Sequence, residues 1–430
     1  MKILFKNSTI MALDPTVTGE GRHLVVDGDV ITYIGDKAPE DKFDRIIDCK
    51  GKLLTAGFYN AHCHSAMTLF RGYGEDLPLD RWLHEKIFPA EERLTHESVY
   101  IGSALAIAEM IAAGTVSFTD MYEKCEDTAK AVIESGIKAN LARAVLSFDP
   151  TENMAENIRV KEAKALANEY HNAENGRIKI DMSLHAEYTN TENSARYLGE
   201  LSREMGLIIQ LHMSETESEH LACIERHGVT PAGFFLKCGV FDVPVSAAHC
   251  VWVTDDDMKI MADKGVTAVH NPTSNLKLGS GVMPLRRMLD NGVNVALGTD
   301  GASSNNMLDI VSEMRLAAIL HKGVSRRADE TRAAEMYPLL TINGAKSQGR
   351  YDCGEIAVGK KADIVLINMD SVSTIPSYDL NASLAYSVKS SDVFMTMVDG
   401  NVLYENGEYK TIDIEKVKHT FRKVQEHYFD

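Results

Sequence analysis

Histidines recur in this sequence at the ends of apolar runs. The first case is His62-Cys63-His64, which follows Leu53-Leu54-Thr55-Ala56-Gly57-Phe58. In a β-strand, residues i and i+2 point to one face, so a His-x-His at a strand end aims two imidazoles at one point. Imidazole is the commonest protein ligand for zinc and iron. Later apolar runs end in His185, His212 and His249, and another ends in Gly298-Thr299-Asp300-Gly301. A lone strand-end histidine is more often a satisfied core or loop residue, but several converging on one rim rarely arise by chance. Three imidazoles and a carboxylate hold a divalent transition metal and leave room for one water. The cation lowers the pKa of its water toward about 7 and so makes hydroxide at neutral pH. Glu215 lies three residues past His212, where it can stand beside that water as a proton shuttle. Glu217 and Glu219 read as a solvated acidic helix start, where carboxylates are favoured.

These side chains need a scaffold that brings many strand ends together. Strand patterns fall at Leu53-Phe58, Thr115-Asp120, Ala139-Leu146, Ile178-Leu184, Leu207-His212, Val245-His249, Val266-His270 and Val293-Thr299. Helical patterns lie between most of them, such as Glu97-Ala113, Thr128-Ser135, Val160-His171, Thr191-Met205 and Met283-Asn291. Eight strands with intervening helices predict an α/β chain folded as a (β/α)₈ TIM-type barrel, whose active sites sit at the C-terminal strand ends. The competing reading is an open doubly wound sheet, but no GxGxxG or Walker-type loop supports a nucleotide-phosphate fold.

The two ends of the chain have a different texture. Lys2-Phe5, Leu24-Val26, Val30-Ile34 and Arg45-Asp48 read as short strands, with an Asp27-Gly28-Asp29 hairpin turn. The pattern returns at 362–367, 393–398 and 402–404, with Asp399-Gly400-Asn401 as the turn, and Ile414 to Phe429 reads as a helix. Residues 1–52 and 350–430 are therefore expected to form one small β-sandwich domain beside a barrel spanning 53–349.

With 430 residues, 44% apolar and 25% charged, the chain has ample material for a large core. A formal net charge of -17 argues against nucleic acid and anionic membranes as partners. The seven cysteines are odd in number, scattered and without a CxxC pair, as reduced cytoplasmic thiols would be. No signal-peptide h-region and no run of transmembrane length is visible. Cytoplasmic location is the expectation, and assembly into identical copies stays open.

The pattern His62-x-His64, His212, His249 and Asp300 resembles the amidohydrolase superfamily, in which a metal-dependent (β/α)₈ barrel adjoins a β-sandwich built from both termini. The resemblance covers nearly the whole chain, including Gly354-Glu355-Ile356-Ala357-Val358-Gly359-Lys360-Lys361-Ala362-Asp363. Two-metal members carry a carboxylated lysine at the end of strand four. Here that end is Leu184-His185-Ala186-Glu187, and Lys179 lies at the opposite end. The resemblance thus implies one divalent ion, zinc with iron as the alternative, on His62, His64, His212 and Asp300. His249 would orient the hydroxide or hold the substrate. Within the superfamily the sequence looks most like the 5-methylthioadenosine/S-adenosylhomocysteine deaminases. The marks are His212-Met213-Ser214-Glu215-Thr216, the run Asn271-Pro272-Thr273-Ser274-Asn275 to Gly281, and Pro89-Ala90-Glu91-Glu92-Arg93-Leu94-Thr95.

That likeness implies further roles. Glu91 would receive the ribose hydroxyls, His185 would touch the purine and Arg143 would meet the homocysteine carboxylate. A second arginine is missing around Phe148-Met154; Arg159 is the next one, in open register. The implied chemistry is hydrolytic deamination of an adenosine-type nucleoside. Hydroxide attacks C6, Glu215 carries a proton to N1 and Asp300 accepts the hydroxide proton. Guanine deaminases and triazine hydrolases share some of the marks, so another heterocycle on the same site is the alternative enzyme reading. A non-catalytic binding protein on a decayed barrel would have lost ligands or the shuttle.

Overall fold

The computed structural model describes residues 1–428. The centre of the chain is the expected barrel. Its strands are β1 Phe58–Cys63, β2 Thr115–Tyr122, β3 Lys138–Arg143, β4 in two pieces (Ile178–Ile180 and Met182–Ser183), β5 Ile209–Met213, β6 Val245–His249, β7 Thr267–His270 and β8 Asn294–Leu297. All neighbouring pairs are parallel. The seam between β8 and β1 is closed by the Asp300 N–H donating to the His62 carbonyl at 3.0 Å and the Thr299 N–H donating to Asn60 Oδ1 at 3.0 Å. Strands packed on both faces cannot alternate apolar and polar residues. Every residue of β1, β2 and β3 is accordingly buried. The outer helices start at short polar caps: Thr95 Oγ1 accepts the Ser98 N–H, and Thr191 Oγ1 accepts the Ser194 N–H.

The termini build the β-sandwich domain beside it. Eight of its nine strands form one hydrogen-bonded path and the ninth, Arg45–Asp48, pairs beside it with Lys2–Ile10; within the path Lys52–Ala56 from the N-terminal side runs antiparallel to Ile364–Asn368 from the C-terminal side. Both Asp-Gly hairpins are present, and they touch: a Cβ on Gly400 would lie 2.0 Å from the Gly28 carbonyl oxygen. The apolar run 53–58 is not one barrel strand as its pattern predicts; it divides at Gly57. Lys52–Ala56 pairs in the terminal sheet, and only Phe58 onward enters the barrel. The chain passes so close to β2 there that a Cβ on Gly57 would meet Val116 Cγ1 at 2.3 Å.

A buried ion pair fastens the two parts. Lys138, the first residue of β3, sits 2.6 Å from Asp363 Oδ2 and 2.8 Å from Asp399 Oδ1. Removing one member would strand the others' charge in the interior, which is more costly than the pair is stabilising.

The chain ends its described course in a helix, Ile414–Tyr428; the expected last residue, Phe429, lies outside the described residues. This helix packs along His96–Ala112. It also meets a helical segment inserted after β1: Leu79–Trp82, a π-helical turn Leu83–Ile87, and Phe88–Glu91. All seven cysteines are buried free thiols. Among the described residues, no helix is long and apolar enough to cross a membrane.

Candidate active site

At the C-terminal rim of the barrel lies a cavity of about 470 Å³. Its wall includes His64, His185, His212, Glu215, His249 and Asp300 from strand ends, and Leu79, Trp82, Phe88 and Glu91 from the inserted segment. His62 sits just beneath. Two overlapping groups of donor atoms share His62: one adds His64 and Asp300, the other His212 and His249, and within each group the atoms lie within 4.8 Å of one another. Asp300 Oδ1 is 3.2 Å from His64 Nε2 and 3.5 Å from His62 Nε2, and His212 Nε2 is 3.4 Å from His64 Nε2.

Their outer partners fix which nitrogen faces the centre. The His64 Nδ1–H donates to the Met121 carbonyl at 2.6 Å, and the His212 Nδ1–H to the His185 carbonyl at 2.9 Å. Each bond leaves Nε2 aimed inward. Asp300 Oδ2 accepts from Ser274 Oγ at 2.6 Å and Ser304 Oγ at 2.8 Å, so Oδ1 is the oxygen left for the imidazoles. His62 Nε2 is buried and finds no hydrogen-bond partner among the described residues. A buried polar atom of that kind calls for a ligand.

The electrostatics agree. Burial pulls His62 down to about 4 and His212 well below the usual imidazole range, so both are neutral. Burial would raise Asp300, but His62 and His64 hold it well below the usual carboxylate range. Neutral imidazoles and an ionised carboxylate are the states that bind metal. Burial also opposes charge on His64, yet Asp300 overrides it and raises His64 to about 9. A positive charge belongs at this point. The donor set therefore fits a divalent cation.

Strained backbone accompanies these side chains. Ser214, His249, Cys250 and Asp300 have φ of 49°, 72°, 49° and 60°, a region that non-glycine residues rarely enter. His249 Nδ1 is 2.8 Å from Asn275 Oδ1, which leaves its Nε2 toward the cavity, 3.6 Å from Glu215 Oε2. Glu215 accepts from Ser280 Oγ at 3.3 Å, and burial raises its carboxyl above the usual range.

Glu219 corrects the sequence reading. It is not a solvated helix-start carboxylate: only Glu217 is exposed. Glu219 is buried, and its two oxygens accept the backbone N–H groups of Ser214 at 3.0 Å and Glu215 at 2.7 Å. Glu217 and Glu219 are two apart in an acidic run, so composition could not separate them. The spacing from Thr216, whose Oγ1 caps the Glu219 N–H at 3.2 Å, was the available signal.

The remaining candidates divide. Glu91 lines the cavity half-buried, and burial raises it to about 7, partly offset by the neighbouring Tyr122 phenol. His185 lines it too, with Nδ1 3.0 Å from Thr189 Oγ1, and burial lowers it to about 3. Arg143 does not line this cavity. Its guanidinium is 2.6 Å from Glu162 Oε2 and donates to the Ala144 carbonyl at 3.0 Å. Arg159 lines the wall instead, 2.9 Å from Glu123 Oε1. Arg143 ends β3 packed against the helix Ile158–Tyr170, and a β-strand's alternation cannot reveal which side of the rim its last long side chain takes. Lys179 is bonded to the Gly349 carbonyl at 2.5 Å.

Known proteins share both sequence and fold. A 5-methylthioadenosine/S-adenosylhomocysteine deaminase of Acetivibrio thermocellus is 44% identical over 431 residues, covering 99% of each chain. A 5'-deoxyadenosine deaminase of Methanosarcina mazei is 41% identical over 426 residues, covering 99% of this chain and 98% of the relative. The crystal structure of an adenosine deaminase from Xanthomonas campestris with bound zinc superposes with a TM-score of 0.93 at 29% identity, covering 99% and 98% of the two chains. The amidohydrolase family model matches residues 53–403, and with relatives this similar over almost its full length, the chain belongs to the amidohydrolase family.

Proposed function

We propose that this chain hydrolytically deaminates adenosine-type nucleosides, taking S-adenosylhomocysteine, 5'-methylthioadenosine or adenosine to the inosine analogue and ammonia. The observation that carries the reading is one cavity lined by two kinds of group: Glu215 and the imidazole–Asp300 cluster from the strand ends, and Glu91 from the inserted segment. The similarity to deaminases of methylthioadenosine, S-adenosylhomocysteine and 5'-deoxyadenosine supports it.

His62, His64, His212 and Asp300 would hold one divalent ion, zinc or iron. When bound, that ion supplies Lewis acidity toward the attacking water. The rest is the work of side chains. His185 and the apolar wall hold the purine, and Glu91 accepts the ribose hydroxyls. Glu215, already inclined to carry a proton, delivers one to ring N1 and makes C6 electrophilic. His249, fixed by Asn275, orients the water over C6, and Asp300 accepts a proton from it. The C6–oxygen bond forms, the C6–nitrogen bond breaks, and the amine leaves as ammonia with the proton that Asp300 took from the water, while the remaining hydroxyl proton passes to Glu215 and leaves a C6 carbonyl. Each positioned acid or base is worth about 10²–10⁴ in rate.

Ammonia release from adenosine, methylthioadenosine, S-adenosylhomocysteine and guanine tests the reaction directly. Release from guanine alone would replace it with the free-base reading. Glu91→Ala should then lower kcat/KM for nucleosides by about 10-fold or more, as loss of charged hydrogen bonds does, and change a free base little. Equal losses on both would show that Glu91 does not read the ribose.

Among the described residues Arg159 is the arginine on the cavity wall, so the proposal moves the carboxylate-reading role from Arg143 to Arg159. Arg159→Ala should raise KM for S-adenosylhomocysteine by about 10-fold and leave methylthioadenosine near wild type, because only the former offers a carboxylate. An unchanged ratio of the two KM values would remove Arg159 from substrate binding.

A further inference from the structure

The segment that carries Glu91 is held from outside the barrel. The helix Ile414–Tyr428 reaches it from the far end of the chain, and the Tyr428 hydroxyl donates to the Ala90 carbonyl, one residue before Glu91. Ala90 lies in the short helix Phe88–Glu91, and its carbonyl also accepts the Arg93 N–H at 3.1 Å, so the tyrosine adds a second bond to it from a distant helix. The Tyr428 ring packs against Phe70 with centroids 5.7 Å apart, and its carbonyl accepts from Arg93 Nη1 at 3.5 Å. Phe421 and Val424, on the same helix, join the apolar cluster of Trp82 and Ile87. Between these anchors runs the π-helical turn Leu83–Ile87, a local irregularity that places successive side chains on the cavity wall.

We infer that Tyr428 is a positioning residue for the proposed nucleoside reaction: acting through the Ala90 carbonyl, it sets Glu91 against the ribose hydroxyls, and the C-terminal helix thereby straps the inserted segment over the cavity. This deepens the deaminase reading and rests on it. Tyr428 touches no reacting atom. Its effect is confined to how well a preformed carboxylate meets a diol, so it belongs in substrate affinity and ribose selectivity, not in the chemical step.

The test is Tyr428→Phe, which removes the hydroxyl and keeps the ring against Phe70. Adenosine is compared with 2',3'-dideoxyadenosine, which lacks the hydroxyls, and amide exchange of residues 79–91 is followed in the same protein. KM for adenosine should rise about fivefold, the weight of one ordinary hydrogen bond, while kcat changes by less than about twofold. Preference for adenosine over the dideoxy substrate should fall by the same factor, and exchange across 79–91 should quicken. A wild-type KM for adenosine, or equal losses on both nucleosides, overturns the inference. A purely structural tyrosine gives the second result. If the unmodified protein turns over neither nucleoside, the deaminase reading falls by itself. Exchange across 79–91 then decides the strap: unchanged rates overturn it. Should Tyr428→Phe misfold, Val424→Ala loosens the same helix one turn earlier, and the same two readouts apply.

Discussion

Glu215→Gln should lower kcat by about 10²-fold or more while metal content and KM stay near wild type. The substitution keeps size and one hydrogen bond but cannot accept a proton. Glu215 is suited to this test because its surroundings are closed. It is buried, held by Ser280, set 3.6 Å from His249 Nε2, and its own backbone N–H is tied to Glu219. Burial raises its carboxyl, so a proton is retained closer to neutrality than on a surface glutamate. Metal analysis and steady-state kinetics on the same preparation separate the outcomes. Near-normal kcat would end the shuttle role, and lost metal would make Glu215 a ligand.

His64→Ala should abolish nearly all turnover and lower metal affinity by more than about 10²-fold, since losing even an outer partner of a ligand costs 10–100-fold. The geometry explains the weight placed on this residue. His64 Nε2 is the contact nearest Asp300 Oδ1 at 3.2 Å and also the link to His212 Nε2 at 3.4 Å. Removing it separates the donors. The fold should survive, because the side chain sits at the cavity wall and not in the barrel interior. Circular dichroism and metal content read together decide the matter. A folded variant with full metal and activity would rule out this centre.

Much of this was legible from the sequence because the barrel obeys simple rules. Strands buried on both sides read as continuous apolar runs, and polar residues at their ends stand out. His62, His64, His185, His212, His249 and Asp300 all sit on the rim that those rules indicate. What the sequence hid involves contacts between distant segments. Leu53–Phe58 looks like one strand, and it divides at Gly57 through pairing with distant strands, Ile364–Asn368 before it and β2 after it. Ser274 and Asn275 lie in the short helix Pro272–Lys277 and Ser304 in a turn, pieces too short for periodicity to specify a side-chain direction, yet they orient Asp300 and His249. Arg143 pairs with Glu162 away from the cavity and Arg159 lines its wall, a choice between two arginines that only the packed structure shows. Tyr428 meets Ala90 across 338 positions, a pairing that no local pattern signals.

The β-sandwich domain also has a timetable. Its N-terminal strands, ending in Lys52–Ala56, leave the ribosome first, but the neighbour that completes their pairing, Ile364–Asn368, is made some three hundred residues later. At ordinary synthesis rates of about 5–20 residues per second, that is a wait of tens of seconds. Throughout it, the edge of Lys52–Ala56 that pairs with Ile364–Asn368 has no strand to meet. The barrel emerges during the wait. The sheet that braces it is sealed last, when Asp363 and Asp399 reach the waiting ammonium of Lys138. Nascent chains of this protein are therefore most exposed to mispairing before residue 368 appears, a vulnerability of synthesis order and not of the finished molecule.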